Sequence, residues 1–152
     1  MGTVMRFEVG MEVSPVSKTL AQEHINLFEA SGAHEGPSIF TDPETAQKML
    51  GMGRTVASGR MTLSFAVETL RRFFGGRIYD HTGVADLRFL RPTRAGDTVT
   101  VRGKVSGVTP EANGSRVAVE LTVQNQNGET TAVGGGSAIV PAGFLPPAEG
   151  RA

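Results

Sequence analysis

The adjacent residues His34 and Glu35 are of types suited to proton transfer. Histidine titrates near neutrality and a neighbouring carboxylate raises its basicity, so the pair suits a general base and its orienter. Sequence neighbours also project apart, and a solvated loop His-Glu would do no chemistry. The second candidate is Ser58-Gly59, which opens an apolar helical run. Unpaired amides at a helix start, with the helix dipole, stabilise negative charge developing on a carbonyl oxygen, and Gly59 admits close backbone approach. Ser58 and Ser64 add hydroxyls; the alternative for Ser64 is a bond back to its own helix. His81, expected at a strand start, either reaches the same pocket or is structural. His24 is expected on a surface. The chain has no cysteine, which excludes thiolate nucleophiles, zinc–thiolate sites and disulfides. It carries no P-loop or dinucleotide fingerprint, so no cofactor and no metal is expected.

The elements that must position these residues divide into a helical front and a stranded back. A first strand is expected over Val9–Lys18, broken by Pro15. Thr19 and Gln22 form a capping-box pattern for a helix with Leu20, Ile25, Leu27 and Phe28 as apolar positions, ended by Gly32. Residues 33–42 read as loop. Asp42 as N-cap and Pro43 at the first helical position start a short helix over Glu44–Leu50. The main helix is expected from Arg60 to Phe74, with Leu63, Ala66, Val67, Leu70, Phe73 and Phe74 at helical spacing, and Gly75-Gly76 stopping it.

From there the period falls to two, with strands expected at roughly 78–91, 97–108, 115–125 and 129–140. Pro92 closes one strand, Gly96-Asp97 restarts pairing, and Asn113-Gly114 and Asn127-Gly128 turn the later hairpins. Gly134-Gly135-Gly136, inside the last strand, permits a bend; alternatively it lets a helix or ligand approach the sheet. The tail after Val140 is expected to be loose. The fold class is α+β, an antiparallel sheet wrapped around a long central helix in a single domain over 1–152, with its core at about 7–140.

A chain of 152 residues with 39% hydrophobic and 20% charged residues is ordinary for one globular domain. Net charge is zero, which gives no reason to expect a nucleic-acid partner. No apolar run approaches the ~20 residues of a membrane span, and the N-terminal residues lack a signal-peptide core. A cytoplasmic protein without a membrane partner is the expectation.

The order of these motifs resembles a known family. Segment 55–61 (TVASGRM), the helix to Phe74, and segment 88–98 (RFLRPTRAGDT) look like the MaoC-like dehydratases of the hotdog fold, which include the R-specific enoyl-CoA hydratases. That signature runs as an aliphatic-x-x-Phe helix, S/T-G-D-x-N-P-x-H-x-D, H-G-M, and R-F-x-x-P-V-x-x-G-D-T. Ile25 and Phe28 match the helix, Ser31-Gly32 the turn, Pro37 the proline, and Asp42 with Ala46 the following D-x-x-x-A. The usual Asp/His dyad is not preserved. Counting from Pro37 or Gly32 puts His34 or Ala33 at the aspartate position, and counting from Asp42 or Pro37 puts Phe40 or Ile39 at the histidine position; Ser58 replaces the histidine of H-G-M.

The resemblance implies a divergent hydro-lyase acting on an acyl or enoyl thioester, carried by coenzyme A or a carrier protein. Alternatives on the same scaffold are an isomerase, cyclase or thioesterase, or a non-catalytic acyl-binding protein. It implies catalytic roles for His34 and Glu35, substrate contacts from Ser58, Gly59, Ser64, Phe40 and His81, and slow or absent hydration of crotonyl-CoA. Arg60, Arg91 and Arg94 are candidates for acidic groups of the carrier. A homodimer is implied, with the His34 loop near the interface.

Overall fold

The computed structural model describes residues 7–32 and 36–143. In chain order its elements are β1 (Glu12–Thr19), α1 (Gln22–Ser31), α2 (Pro43–Leu50), β2 (Val56–Ala57), α3 (Gly59–Phe74), α4 (Gly76–Thr82), β3 (Val84–Phe89), β4 (Thr93–Arg94), β5 (Thr98–Glu111), β6 (Gly114–Gln124) and β7 (Thr130–Pro141). The five-stranded antiparallel sheet has the order β1-β5-β6-β7-β3 and curls around α3, which is the α+β hotdog arrangement.

Alternation decides which face of the sheet meets the helix. Val117, Val119, Leu121 and Val123 of β6 are buried, as are Val99, Val101 and Val105 of β5 and Ala132, Ala138 and Val140 of β7. Against them α3 sets Ala66, Leu70 and Phe74, each four residues from the next, with Met61 in its first turn. Gly136 is the sheet glycine that α3 packs against. A Cβ there would collide with Leu70 and with the Val84 carbonyl, so this glycine admits the central helix, and the bend alone does not account for it.

Three expectations need correction. Residues 78–82 are not strand. Ile78 and Tyr79 are neighbours and both buried, which period two forbids, and Tyr79 stacks on Phe74 at 6.4 Å. Packing against the end of α3 therefore folds them into α4, and the strand begins only at Val84. Pro15 does not break β1; the strand absorbs it as a register shift between Val13 and Val16. Thr19 does not cap α1. Its hydroxyl pairs with that of Thr98 across the β1–β5 ladder at 2.9 Å, and Ala21 occupies the N-cap position without a side-chain bond.

The Asp42 cap is as expected: Asp42 Oδ2 accepts from the Thr45 amide at 3.1 Å and the Thr45 hydroxyl at 2.6 Å. These bonds, the hydroxyl's first, hold the Asp42 carboxyl below its ordinary pKa. Pro92 and the turn at Gly96 (φ 91°) also stand where expected.

Candidate active site

Four elements converge on the amino end of α3. The two-residue ladder β2–β4 pairs Val56 with Arg94 and Ala57 with Thr93, tying the entry of α3 to the turn beyond Pro92. Arg54 Nη2 donates to the Ala95 carbonyl at 2.7 Å on the same side. The Val56 amide donates to the Ile39 carbonyl at 3.2 Å, which brings in the segment before α2. Gln22, at the start of α1, accepts from the Thr55 hydroxyl and donates through Nε2 to the Phe40 carbonyl at 2.9 Å. None of these side chain–backbone ties is visible in a periodicity pattern.

Ser58 is 6% exposed and stands at the N-cap position with extended backbone, yet its hydroxyl makes no cap bond and has no partner among the described residues. Gly59 is the first helical residue. A Cβ on it would stand 2.8 Å from the ring of Phe89, so glycine is what lets that ring lie on the helix start. Phe40 packs against the core edge, its amide donating to Ser38 Oγ at 3.2 Å.

The remaining sequence candidates fall differently. Ser64 is exposed, and its hydroxyl donates to the Met61 carbonyl at 2.6 Å, the bond back to its own helix. His81 is not at a strand start; it lies exposed in the last turn of α4. The 16-residue α3 separates it from Ser58 by roughly 24 Å at about 1.5 Å per residue. His34 and Glu35 lie outside the described residues. Among the described residues no group of three or more His, Asp or Glu is placed to hold a metal ion.

Sequence reasoning missed Glu29. The buried face of α1 is Ile25 and Glu29, four residues apart, while Leu27, expected inside, is 72% exposed. Glu29 Oε2 lies 3.5 Å from Arg60 Nη2 in the first turn of α3, and Oε1 has no hydrogen-bond partner among the described residues. Gln22 and Glu29 are seven residues apart and so share a helix face. That face meets Thr55 at one end and Arg60 at the other, with Ser58 between them in sequence. The available signal was spacing: Glu29 lies one turn beyond Ile25, on the face that turns inward.

The model of the MaoC like domain matches residues 4–127. No curated protein matches the chain. Among solved structures, the chain is similar to the monoamine oxidase regulatory protein from Archaeoglobus fulgius, with 25% identity, 93% of each chain covered and TM-score 0.73. It is also similar to the unliganded R-hydratase PhaJ1 from Pseudomonas aeruginosa, with 22% identity, 94% of this chain and 92% of that one covered and TM-score 0.71. A third is the C-terminally truncated HadBC (3R-hydroxyacyl-ACP dehydratase) complex from Mycobacterium tuberculosis, with 21% identity, 87% and 96% covered and TM-score 0.70.

Proposed function

From membership of the MaoC-like domain family, to which this chain belongs, we propose that it is a hydro-lyase that adds or removes water at the β-carbon of an acyl or enoyl thioester. The observation that carries this reading is the amino end of α3, where the Ser58 hydroxyl is buried without a partner among the described residues and only the Phe89 side chain lies against Gly59. Amides in that first turn, aided by the helix dipole, suit the thioester oxygen as it becomes an enolate oxygen. Ser58 Oγ adds a donor beside them. Ile39 and Phe40 bring apolar surface where the family signature has histidine, which suits an acyl chain and works against hydration by the usual dyad. His34 and Glu35 are proton-transfer candidates from the sequence. The thioester carrier is coenzyme A or an acyl carrier protein; the similar HadBC complex is a dehydratase of 3R-hydroxyacyl-ACP.

The test is a series of enoyl thioesters, short to long, on both carriers, followed by loss of enoyl absorbance and by product mass. Hydration of a longer chain, with crotonyl-CoA slow, supports the reading. Turnover to a product without added water favours the isomerase or thioesterase alternatives. The apolar Ile39 and Phe40 favour a second reading, a non-catalytic acyl-binding protein, which predicts saturable binding and no turnover.

The same reading takes the protein as a homodimer. β3 pairs only with β7, so its other edge is open, and Val84 and Phe89 on it are 54% and 48% exposed. An open apolar edge invites strand pairing, and a second copy would cover it. Light scattering that returned a 16.0 kDa particle at micromolar concentration would count against the dimer.

A further inference from the structure

Three buried side-chain oxygens lack a hydrogen-bond partner among the described residues: Glu29 Oε1, Ser58 Oγ and Glu68 Oε2. Glu68 Oε2 nevertheless has Lys18 Nζ at 3.0 Å, so its charge is answered. The other two belong to the amino end of α3. Burying a carboxylate is costly unless it is paired and fully hydrogen-bonded, and native proteins leave few such oxygens unsatisfied. Glu29 is 1% exposed, and its single charged contact is long, 3.5 Å to Arg60 Nη2. A buried pair serving stability should be short and two-pronged. The exposed pair Arg71–Asp80 has that form, with both bonds at 2.8 Å, where it matters least. Glu29 is a poor choice for stability and a suitable one for chemistry.

We propose that Glu29 is the proton-transfer group of this site, acting in turn on the water and on the α-carbon of an enoyl thioester. The proposal deepens the hydro-lyase reading and rests on it. In the hydration direction, Glu29 takes a proton from water while the water oxygen bonds to the β-carbon. The carbon–carbon π pair moves toward the thioester carbonyl, whose oxygen is held at the start of α3. The protonated Glu29 then returns that proton to the α-carbon, and the carboxylate is restored. One carboxylate used twice balances the reaction without a second partner and without the missing dyad. Access runs past Arg60. Its guanidinium lies 3.3 Å from where a Cβ on Gly32 would be, at the carboxyl end of α1, and its side chain is 56% exposed. Turning it outward is a rotamer change on the solvent side, available on the picosecond to nanosecond scale.

The experiment measures turnover of octenoyl and dodecenoyl thioesters of coenzyme A and of acyl carrier protein, and thermal melting, for the wild type, Glu29→Gln and Glu29→Asp. Glu29→Gln keeps the volume and removes the proton chemistry. The expected result is a fall in kcat of at least ~100-fold, the lower end of a general acid–base contribution. KM should stay within a few-fold and the melting temperature should not drop. Glu29→Asp, with the carboxylate drawn back, should fall between the two. Glu29→Gln with wild-type kcat overturns the proposal and leaves the hydro-lyase reading standing. A fall in melting temperature that accounts for the lost activity, or failure of both variants to fold, makes Glu29 structural and overturns it as well. Wild-type protein inactive on these chains as both coenzyme A and acyl-carrier-protein thioesters overturns the hydro-lyase reading and this proposal with it.

Discussion

The two ends of α3 are built from similar residue types and arranged in opposite ways. At the carboxyl end the groups with recorded bonds are well answered. Arg71 clamps Asp80 through two bonds of 2.8 Å, the Gly75 amide donates to the Arg71 carbonyl at 2.9 Å, and the Thr82 hydroxyl accepts from the Ile139 amide at 2.8 Å. The pair holds the Asp80 carboxyl below its usual pKa and raises that of Arg71, while burial pushes the Tyr79 phenol up. At the amino end a serine stands in a capping position without capping, and a buried glutamate has one oxygen unpartnered among the described residues. A satisfied terminus holds a fold together. An unsatisfied one has bonding capacity left for a ligand, and its cost must be carried by the rest of the molecule.

Four substitutions break or sharpen that contrast, in descending size of effect. Gly59→Val should be the most damaging to function. It drives a side chain against the Phe89 ring, which must shift, and crowds the first-turn amides, whose loss in oxyanion-type sites costs about 2.7–4 kcal/mol of transition-state stabilisation. Thioester turnover should fall at least ~100-fold with far-UV circular dichroism unchanged. Turnover at the wild-type level would mean the carbonyl is held elsewhere.

Gly136→Val probes the middle of α3, where function is not at stake. Its side chain would press on Leu70 and the Val84 carbonyl, and overpacking of this kind costs about 1–3 kcal/mol. The unfolding free energy from urea titration should fall by that amount, with turnover per folded molecule preserved.

Ser58→Ala separates the two meanings of an N-cap serine. A capping hydroxyl contributes about 1 kcal/mol, but this one caps nothing, so stability by urea titration should stay level or rise. Turnover should nonetheless fall. A loss of stability of the full capping size would put the hydroxyl back among the structural groups.

Asp80→Asn tests the satisfied end and should do least. The folded pKa of Asp80 lies below the ordinary value of 3.8, so the pair's contribution is fully present above that value and disappears as pH falls through the lower folded one. The variant should lose some stability at neutral pH, with the acid side of its stability profile flattened. The effect should be small because the pair is exposed, and turnover should be unchanged.

The local signals and the tertiary ones separated cleanly in this chain. The Asp42-Pro43 start of α2, the stop at Gly75, the turns at Gly96 and Gly128 and the alternation of Val117, Val119, Leu121 and Val123 were legible because each depends on a residue's own backbone preference or on period. Motif order also carried the family, since a strand ending at Pro92 and restarting at Gly96 after a buried helix needs no contact map to recognise. Residues 78–82 were misread because Ile78 and Tyr79 are helical only by virtue of Phe74 beneath them.

The candidate site was half legible for the same reason. Ser58 and Gly59 are marked by the helix start they form, so the sequence by itself determined that a serine and a glycine open α3. Glu29 carries a polar side chain on a helix whose apolar positions pointed to Leu27, and only the packing of α1 against the start of α3 turned Glu29 inward and Leu27 out. Burial and hydrogen-bond satisfaction are properties of the neighbours that surround a group. The tertiary structure alone decided which of these side chains would be left with an unpartnered oxygen.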